Sequence, residues 1–227
     1  MSNMDKKQLV KLVSFMATFD GGLYKRYDNG NAHFAMNMVK ENEDYVNWVK
    51  TTLENFVSVK VIDRTLRNDG YNRKPQLQLA SKTHPWLTTL WERMYTPYGN
   101  KVLDLHMLTL LDAEALAIIF MCDGGSRLYK NSRSVNPSSD ITLNTKGFSE
   151  ADNLALSKAI YEKLQVKSTV NRQNQYRYLR INTTDHQLFC DTVAPYILPS
   201  FKYKLERLAP TIKLDDDIVC SAWKQVE

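Results

Sequence analysis

Two stretches of the chain share one hydrophobic rhythm and one ending. Leu9, Leu12, Val13, Met16 and Ala17 recur at the spacing of a helix face until Gly21-Gly22 break the run. Ala113, Leu116, Ala117, Phe120 and Met121 do the same until Gly124-Gly125. Asp5 with Gln8 has the form of a capping box for the first helix, and Asp112 opens the second. In both, an aspartate, Asp20 or Asp123, is the last side chain before the glycines.

After each of these helices the period shifts to two. His33, Ala35 and Asn37 alternate with Phe34, Met36 and Met38; Ser58, Lys60 and Arg64 with Val57, Val59 and Val61; Gln76 and Gln78 with Leu77 and Leu79. The second half repeats this with Thr142, Asn144 and Lys146 against Ile141 and Leu143, and with Tyr176, Tyr178, Arg180 and Asn182 against Leu179 and Ile181. Helical stretches are expected from Asp44 to Phe56, from Ser149 to Leu164 with Ser149 as N-cap, from His84-Pro85 to Tyr95 and from Thr184 to Tyr196. Their apolar faces would cover the dry side of each sheet and leave the polar side open.

The two helix ends are 103 residues apart, and a lysine follows each aspartate at the same distance: Lys101 and Lys204 both lie 81 residues downstream. Such spacing marks a duplication. The expected fold is α+β, with two pseudo-symmetric half-domains, residues 1–100 and 101–206, each an antiparallel sheet backed by helices, and a C-terminal tail at 207–227. The tail, with Asp215-Asp-Asp217 and Trp223, carries no motif that can be interpreted.

Charge narrows the partner. The chain carries 30 Lys and Arg against 25 Asp and Glu, and the tail is slightly acidic, so the repeated body holds the excess of positive charge. A basic balance suits nucleic acid or an acidic membrane surface. Three cysteines without CxxC spacing argue against a disulfide scaffold and for a reducing compartment, the cytoplasm or an organelle interior such as a mitochondrion or chloroplast. Four histidines without HxxH or HExxH spacing argue against zinc. Lys11 interrupts the N-terminal apolar run before it can serve as a signal peptide, and no run is long enough to span a membrane.

A carboxylate at a helix C-terminus meets the negative end of the dipole, at a cost of a few tenths to about 1 kcal/mol. A single Asp-Gly-Gly reads as a turn, but two at equivalent positions call for a compensating cation, and a bound metal is the simplest. The open strand faces are rich in side chains that read base edges and phosphates and carry almost no acid. His33, Lys60, Arg64, Gln76, Gln78, Thr142, Lys146, Tyr178 and Arg180 are the candidates there. Loops add Lys25, Arg26, Arg67, Arg73, Lys74, Lys130, Arg133 and Arg172. Strands fit the DNA major groove, whereas the RNA major groove is too deep and narrow to read, so duplex DNA is the expected partner.

With these features together, the chain resembles the single-chain, two-motif LAGLIDADG homing endonucleases over roughly residues 8 to 206. The likeness is strongest in Leu111–Gly125, Ile141–Ser149 and Pro195–Leu205. It departs from the motif at Phe15 and Ile118, where glycine is usual, and at Phe19 and Cys122, where alanine is usual, while Ser14 and Ala117 keep small side chains. The resemblance implies that the two motif helices pack side by side beneath a DNA-binding saddle. It also implies that Asp20 and Asp123 bind Mg²⁺ or Mn²⁺, that Lys101 and Lys204 lie around the attacking water and phosphate, and that Asn37 and Asn144 help to orient that water. The implied activity is double-strand cleavage of a long, asymmetric site by a monomer, leaving 3′ overhangs. The alternatives on the same scaffold are a maturase that binds intron RNA and a DNA-binding protein that has lost cleavage.

Overall fold

The structure, a computed structural model, describes residues 4–64, 74–129 and 138–208. The chain divides between Lys101 and Val102 into two compact units.

In the first unit, helix α1 (Lys6–Phe19) leads into strand β1 (Gly22–Tyr24). Then come β2 (His33–Val39), α2 (Glu43–Glu54), β3 (Val59–Arg64), β4 (Gln76–Ser81) and α3 (Pro85–Met94). The strands form one antiparallel sheet in the order β1-β2-β4-β3. Phe34, Met36, Leu77 and Leu79 point to the helices and are buried with Val46, Val49, Leu53, Leu87 and Leu90. His84 caps α3 by accepting from the Trp86 amide at 3.2 Å, with Pro85 at the first helical position.

The second unit repeats the plan. A short helix α4 (Leu105–Thr109) precedes α5 (Ala113–Asp123), which runs directly into β5 (Gly124–Tyr129). Then come β6 (Ser138–Leu143), α6 (Glu150–Leu164), β7 (Ser168–Gln173), β8 (Tyr176–Ile181), α7 (His186–Val193) and α8 (Tyr203–Glu206). The sheet order is β5-β6-β8-β7, the same permutation as in the first unit. Ser149 and Asp152 form a complete capping box at α6, as their sequence positions favour.

Several expectations change. Asp5 occupies the N-cap of α1 but its side chain makes no capping bond, so the helix starts on the Asp5 carbonyl, which accepts from the Leu9 amide at 3.0 Å. The segment expected as one helix from Thr184 to Tyr196 is α7 flanked by 3₁₀ turns at Thr183–Asp185 and Ala194–Tyr196, the latter built around Pro195, which has no amide to continue the ladder. Strand β6 ends at Leu143, which leaves Asn144 beside it and puts Lys146 in the following turn. Strands β1, β5 and β7 have no clean alternation and were not expected. Finally, α1 and α5 are not one-sided: Lys11–Phe19 and Ala115–Met121 are buried without a break, as helices enclosed on every side are.

Candidate active site

Each motif helix ends by the same device. The Asp20 and Gly21 amides both donate to the Met16 carbonyl, and the chain turns into β1. In the second unit the Gly124 amide donates to Phe120 and β5 begins at once. No larger residue fits there: a Cβ on Gly124 would stand 2.3 Å from the Phe120 carbonyl oxygen. Asp20 and Asp123 are both half-buried at these ends, and Asp20 Oδ2 is shielded from solvent.

The two lysines complete the helix ends. Lys101 Nζ donates to the carbonyls of Ala17 at 2.9 Å, Thr18 at 3.0 Å and Gly21 at 2.9 Å. Lys204, which is buried, donates to those of Phe120 at 3.0 Å and Met121 at 2.5 Å, with its ammonium over the Phe120 and Phe201 rings. An ammonium has three protons to donate, and Lys101 has three backbone oxygens within 3.0 Å. These contacts place both lysines against the carbonyls of the helix ends that carry the aspartates. They also supply the positive charge that the helix-dipole argument called for, so that argument no longer requires a metal.

The two asparagines lie in, or just past, the second strand of each unit. In the first unit Gly22 of β1 pairs with Ala35 of β2, two residues before Asn37, which pairs with Gln78. In the second, Gly124 pairs with Leu143, and the Asn144 amide donates to the Asp123 carbonyl at 2.8 Å. Aspartate at the helix end and lysine on the helix-end carbonyls thus recur in both units, and in the second an asparagine bonds the aspartate's backbone.

The register also sorts the nucleic-acid candidates. His33, Asn37, Gln76, Gln78, Lys60 and Arg64 share the face of the first sheet that points away from the helices. There, Arg64 donates to Gln78 Oε1 from Nε at 2.8 Å and again from Nη2. Thr142, Tyr178 and Arg180 share the corresponding face of the second, with Asn144 at its end. Lys25 is engaged elsewhere, 3.8 Å from Glu92 and over the Trp91 ring, and Lys74 pairs with Glu41 at 2.7 Å. Arg26 is exposed above Tyr27. Arg172, expected in a loop, lies in β7 on the helix side of the sheet, paired across from Arg177, and its Nε donates to the Asn174 carbonyl at 2.7 Å. Arg67, Arg73, Lys130 and Arg133 lie outside the described residues.

The open face of the second sheet adds groups the alternation had not flagged. Arg127 and Asp140 face one another across β5 and β6, Arg127 lies over the Tyr129 ring, and Asn171 and Gln173 of β7 pair with Tyr178 and Tyr176. A groove of about 230 Å³ runs among Arg127, Tyr129, Asp140, Thr142, Asn144 and Tyr178. Asp140 corrects the expectation that this face is nearly free of acid. It binds Arg180 Nε at 2.5 Å, which is how a carboxylate is tolerated there.

The donor set fits a hard divalent cation only in part. Among the described residues no three His, Cys, Asp or Glu side chains gather as a metal site, so each unit offers one motif carboxylate. Mg²⁺ accepts such a site when water and substrate phosphate oxygens fill its other positions.

A repeated helix that ends in aspartate, feeding a four-stranded sheet with a polar open face, is the half-domain plan of a DNA-cleaving scaffold. A sequence model of the LAGLIDADG DNA endonuclease family matches residues 19–189, and the chain belongs to that family. Similar proteins include "Probable intron-encoded endonuclease 1" of Wickerhamomyces canadensis, 26% identical over 194 residues that cover 82% of this chain and 79% of the relative. "Probable intron-encoded DNA endonuclease 3" of Mycosarcoma maydis is 25% identical over 127 residues, 55% of this chain and 89% of the relative. The structure of "The homing endonuclease I-WcaI bound to its DNA recognition sequence" shares the fold with a TM-score of 0.72 at 20% identity, covering 88% of this chain and 86% of that one. Among the described residues no helix is long and apolar enough to cross a membrane.

Proposed function

We propose that the chain is a monomeric, divalent-metal-dependent homing endonuclease that reads a long, asymmetric duplex site with its two open sheet faces and cuts both strands, leaving 3′ overhangs. The observation that carries this reading is the repetition of one chemical unit: an aspartate at a helix end and a lysine on the last-turn carbonyls, once in each half. A reaction performed once on each DNA strand calls for one such unit per half.

Asp20 and Asp123 would hold the metal, each through its carboxylate. A bound Mg²⁺ or Mn²⁺ would offset the charge that builds on the phosphate and acidify a coordinated water. The Lys101 and Lys204 ammonium groups hold the helix ends, and so the aspartates, in place. Asn37 and Asn144 can orient water by donating or accepting. Support for DNA as partner comes from the family and from the amide, guanidinium and hydroxyl groups on the open faces.

The test is cleavage of a randomised duplex library in Mg²⁺ by wild-type and Asp20→Asn protein, with the cut ends sequenced. A discrete, long, non-palindromic site cut only by the wild type is expected. No cut site under Mg²⁺ or Mn²⁺, or equal cutting by the variant, would overturn the proposal.

A further inference from the structure

Arg180 and Asp140 form an arrangement that goes beyond general DNA affinity. Both stand on the open face of the second sheet: Arg180 in β8 pairs with Thr142, and Asp140 is two residues before Thr142 in β6. Asp140 is mostly enclosed, with 16% of its side chain exposed, whereas Arg180 is 43% exposed. The bond between them is made by one guanidinium nitrogen only, Nε, at 2.5 Å. Among the described residues the two Nη groups of Arg180 have no protein acceptor.

An acceptor on Nε fixes the plane of a guanidinium and leaves its outer edge, the two Nη groups, as a preset fork. That fork matches O6 and N7 of guanine in the major groove, the commonest specific arginine contact. A phosphate-binding arginine has no need of such a brace, and a carboxylate beside it would weaken attraction to the backbone. The first sheet differs: the Nε and one Nη of Arg64 are both committed to Gln78, so its fork is partly spent.

On the reading proposed above, we infer that Asp140 is a positioning residue that sets Arg180 as a guanine reader, so that the half-site bound by the second unit contains one strongly preferred guanine. Asp140 touches no base itself. Its function is to exclude other orientations of Arg180.

The experiment is binding selection from a randomised duplex library for the wild type, Asp140→Ala, Asp140→Asn and Arg180→Lys, with affinity for a non-specific duplex measured alongside. The wild type should enrich a site with a near-invariant guanine in one half. Asp140→Ala should keep the rest of the site while preference at that position falls roughly tenfold. Its affinity for non-specific duplex should hold or rise, because a negative charge has left the face. Arg180→Lys should lose the same position, since a lysine cannot form the fork. Asp140→Asn can still accept from Nε, so it should retain more of the preference than Asp140→Ala.

A merely structural role for Asp140 would lower affinity at all positions together, and that result would overturn the inference. So would an unchanged guanine preference in both Asp140→Ala and Arg180→Lys. If the wild type enriches no site at all, the DNA-reading proposal itself falls, and this inference with it.

Discussion

Lys101 Nζ lies 2.9 Å from the carbonyl oxygen of Ala17 in the last turn of α1, and 103 residues further on Lys204 Nζ lies 3.0 Å from that of Phe120 in α5. The equal spacing of lysine and aspartate in the sequence therefore records a shared structural task. Each ammonium neutralises the negative helix end on which the neighbouring aspartate sits. The substitutions Lys101→Met and Lys204→Met should then lower stability and cleavage together. Loss of a charged donor from enclosed acceptors costs about 1.5–3 kcal/mol, with the larger effect at the more deeply buried Lys204. Thermal melts and cleavage rates on the same preparations check this. Lost cleavage with an unchanged melting temperature would mean that the lysine acts on the substrate.

The aspartates should behave in the opposite way. Asp123→Asn and Asp20→Asn keep the size and shape of the side chain at helix ends whose charge a lysine already offsets, so folding should change little. Double-strand cutting should nevertheless disappear in each variant, while duplex binding persists. Gel-resolved cleavage alongside denaturant titration tests both halves of this prediction. Full cutting by either variant removes that aspartate from the metal site.

The helix ends were legible in the sequence because glycine pairs and apolar spacing act locally. The duplication was legible because it preserves numbering: Asp20 and Asp123, Lys101 and Lys204. The direction of the lysine side chains was not, since a bond from Lys101 to Ala17 joins residues 84 apart and leaves no local signature. Strands β5 and β7 escaped notice because Ser126, Arg127, Asn171 and Arg172 break the apolar alternation at sheet edges. Asp140 is not legible for a similar reason. A lone acid in a strand looks unfavourable until its partner, 40 residues on in another strand, is known.

Gly124 and Gly22 should differ sharply when replaced by alanine. At Gly124 the new methyl meets Phe120 backbone atoms at 2.3 and 2.7 Å, which cannot yield without unwinding the helix end. At Gly22 it meets the end of Tyr24 at 2.6 Å, and that side chain is 53% exposed and able to turn away. Gly124→Ala should cost about 1–3 kcal/mol or more, as overpacking does, and Gly22→Ala far less. Equal denaturation midpoints would show that the α5–β5 junction is not constrained as described.

Duplex binding should weaken steeply with salt, by a slope of about −0.9 for each phosphate neutralised. Lys60 and Arg127, on the two open faces, are the groups to vary. Lys60→Ala should reduce the slope by about one unit if it contacts a phosphate, whereas Asp140→Ala should not reduce it. Affinities measured between about 50 and 200 mM salt decide this, and a flat response in the wild type would count against the open faces as the DNA surface.

His186 gives the fold a pH dependence of its own. It is buried beneath the second sheet, with Nδ1 3.3 Å from Ser139 Oγ and Nε2 3.2 Å from the Ile181 carbonyl, an arrangement that suits the neutral ring accepting at Nδ1 and donating from Nε2. Burial pushes its pKa below the ordinary value of 6.5, outweighing the Ile181 carbonyl and the nearby Asp140 and Asp185 carboxylates, which raise it; Arg180 lowers it further. The unfolded chain therefore binds more protons than the folded one below about pH 6.5, and its advantage grows as the pH falls toward the depressed folded value. Stability from this group is complete above that pH and is lost on acidification. Urea midpoints taken at about pH 7.5 and 5.5 should show a decline that is shallower in His186→Gln, even though that variant starts less stable for want of the ring's bonds. A decline of the same steepness in both proteins would assign the acid sensitivity to other groups.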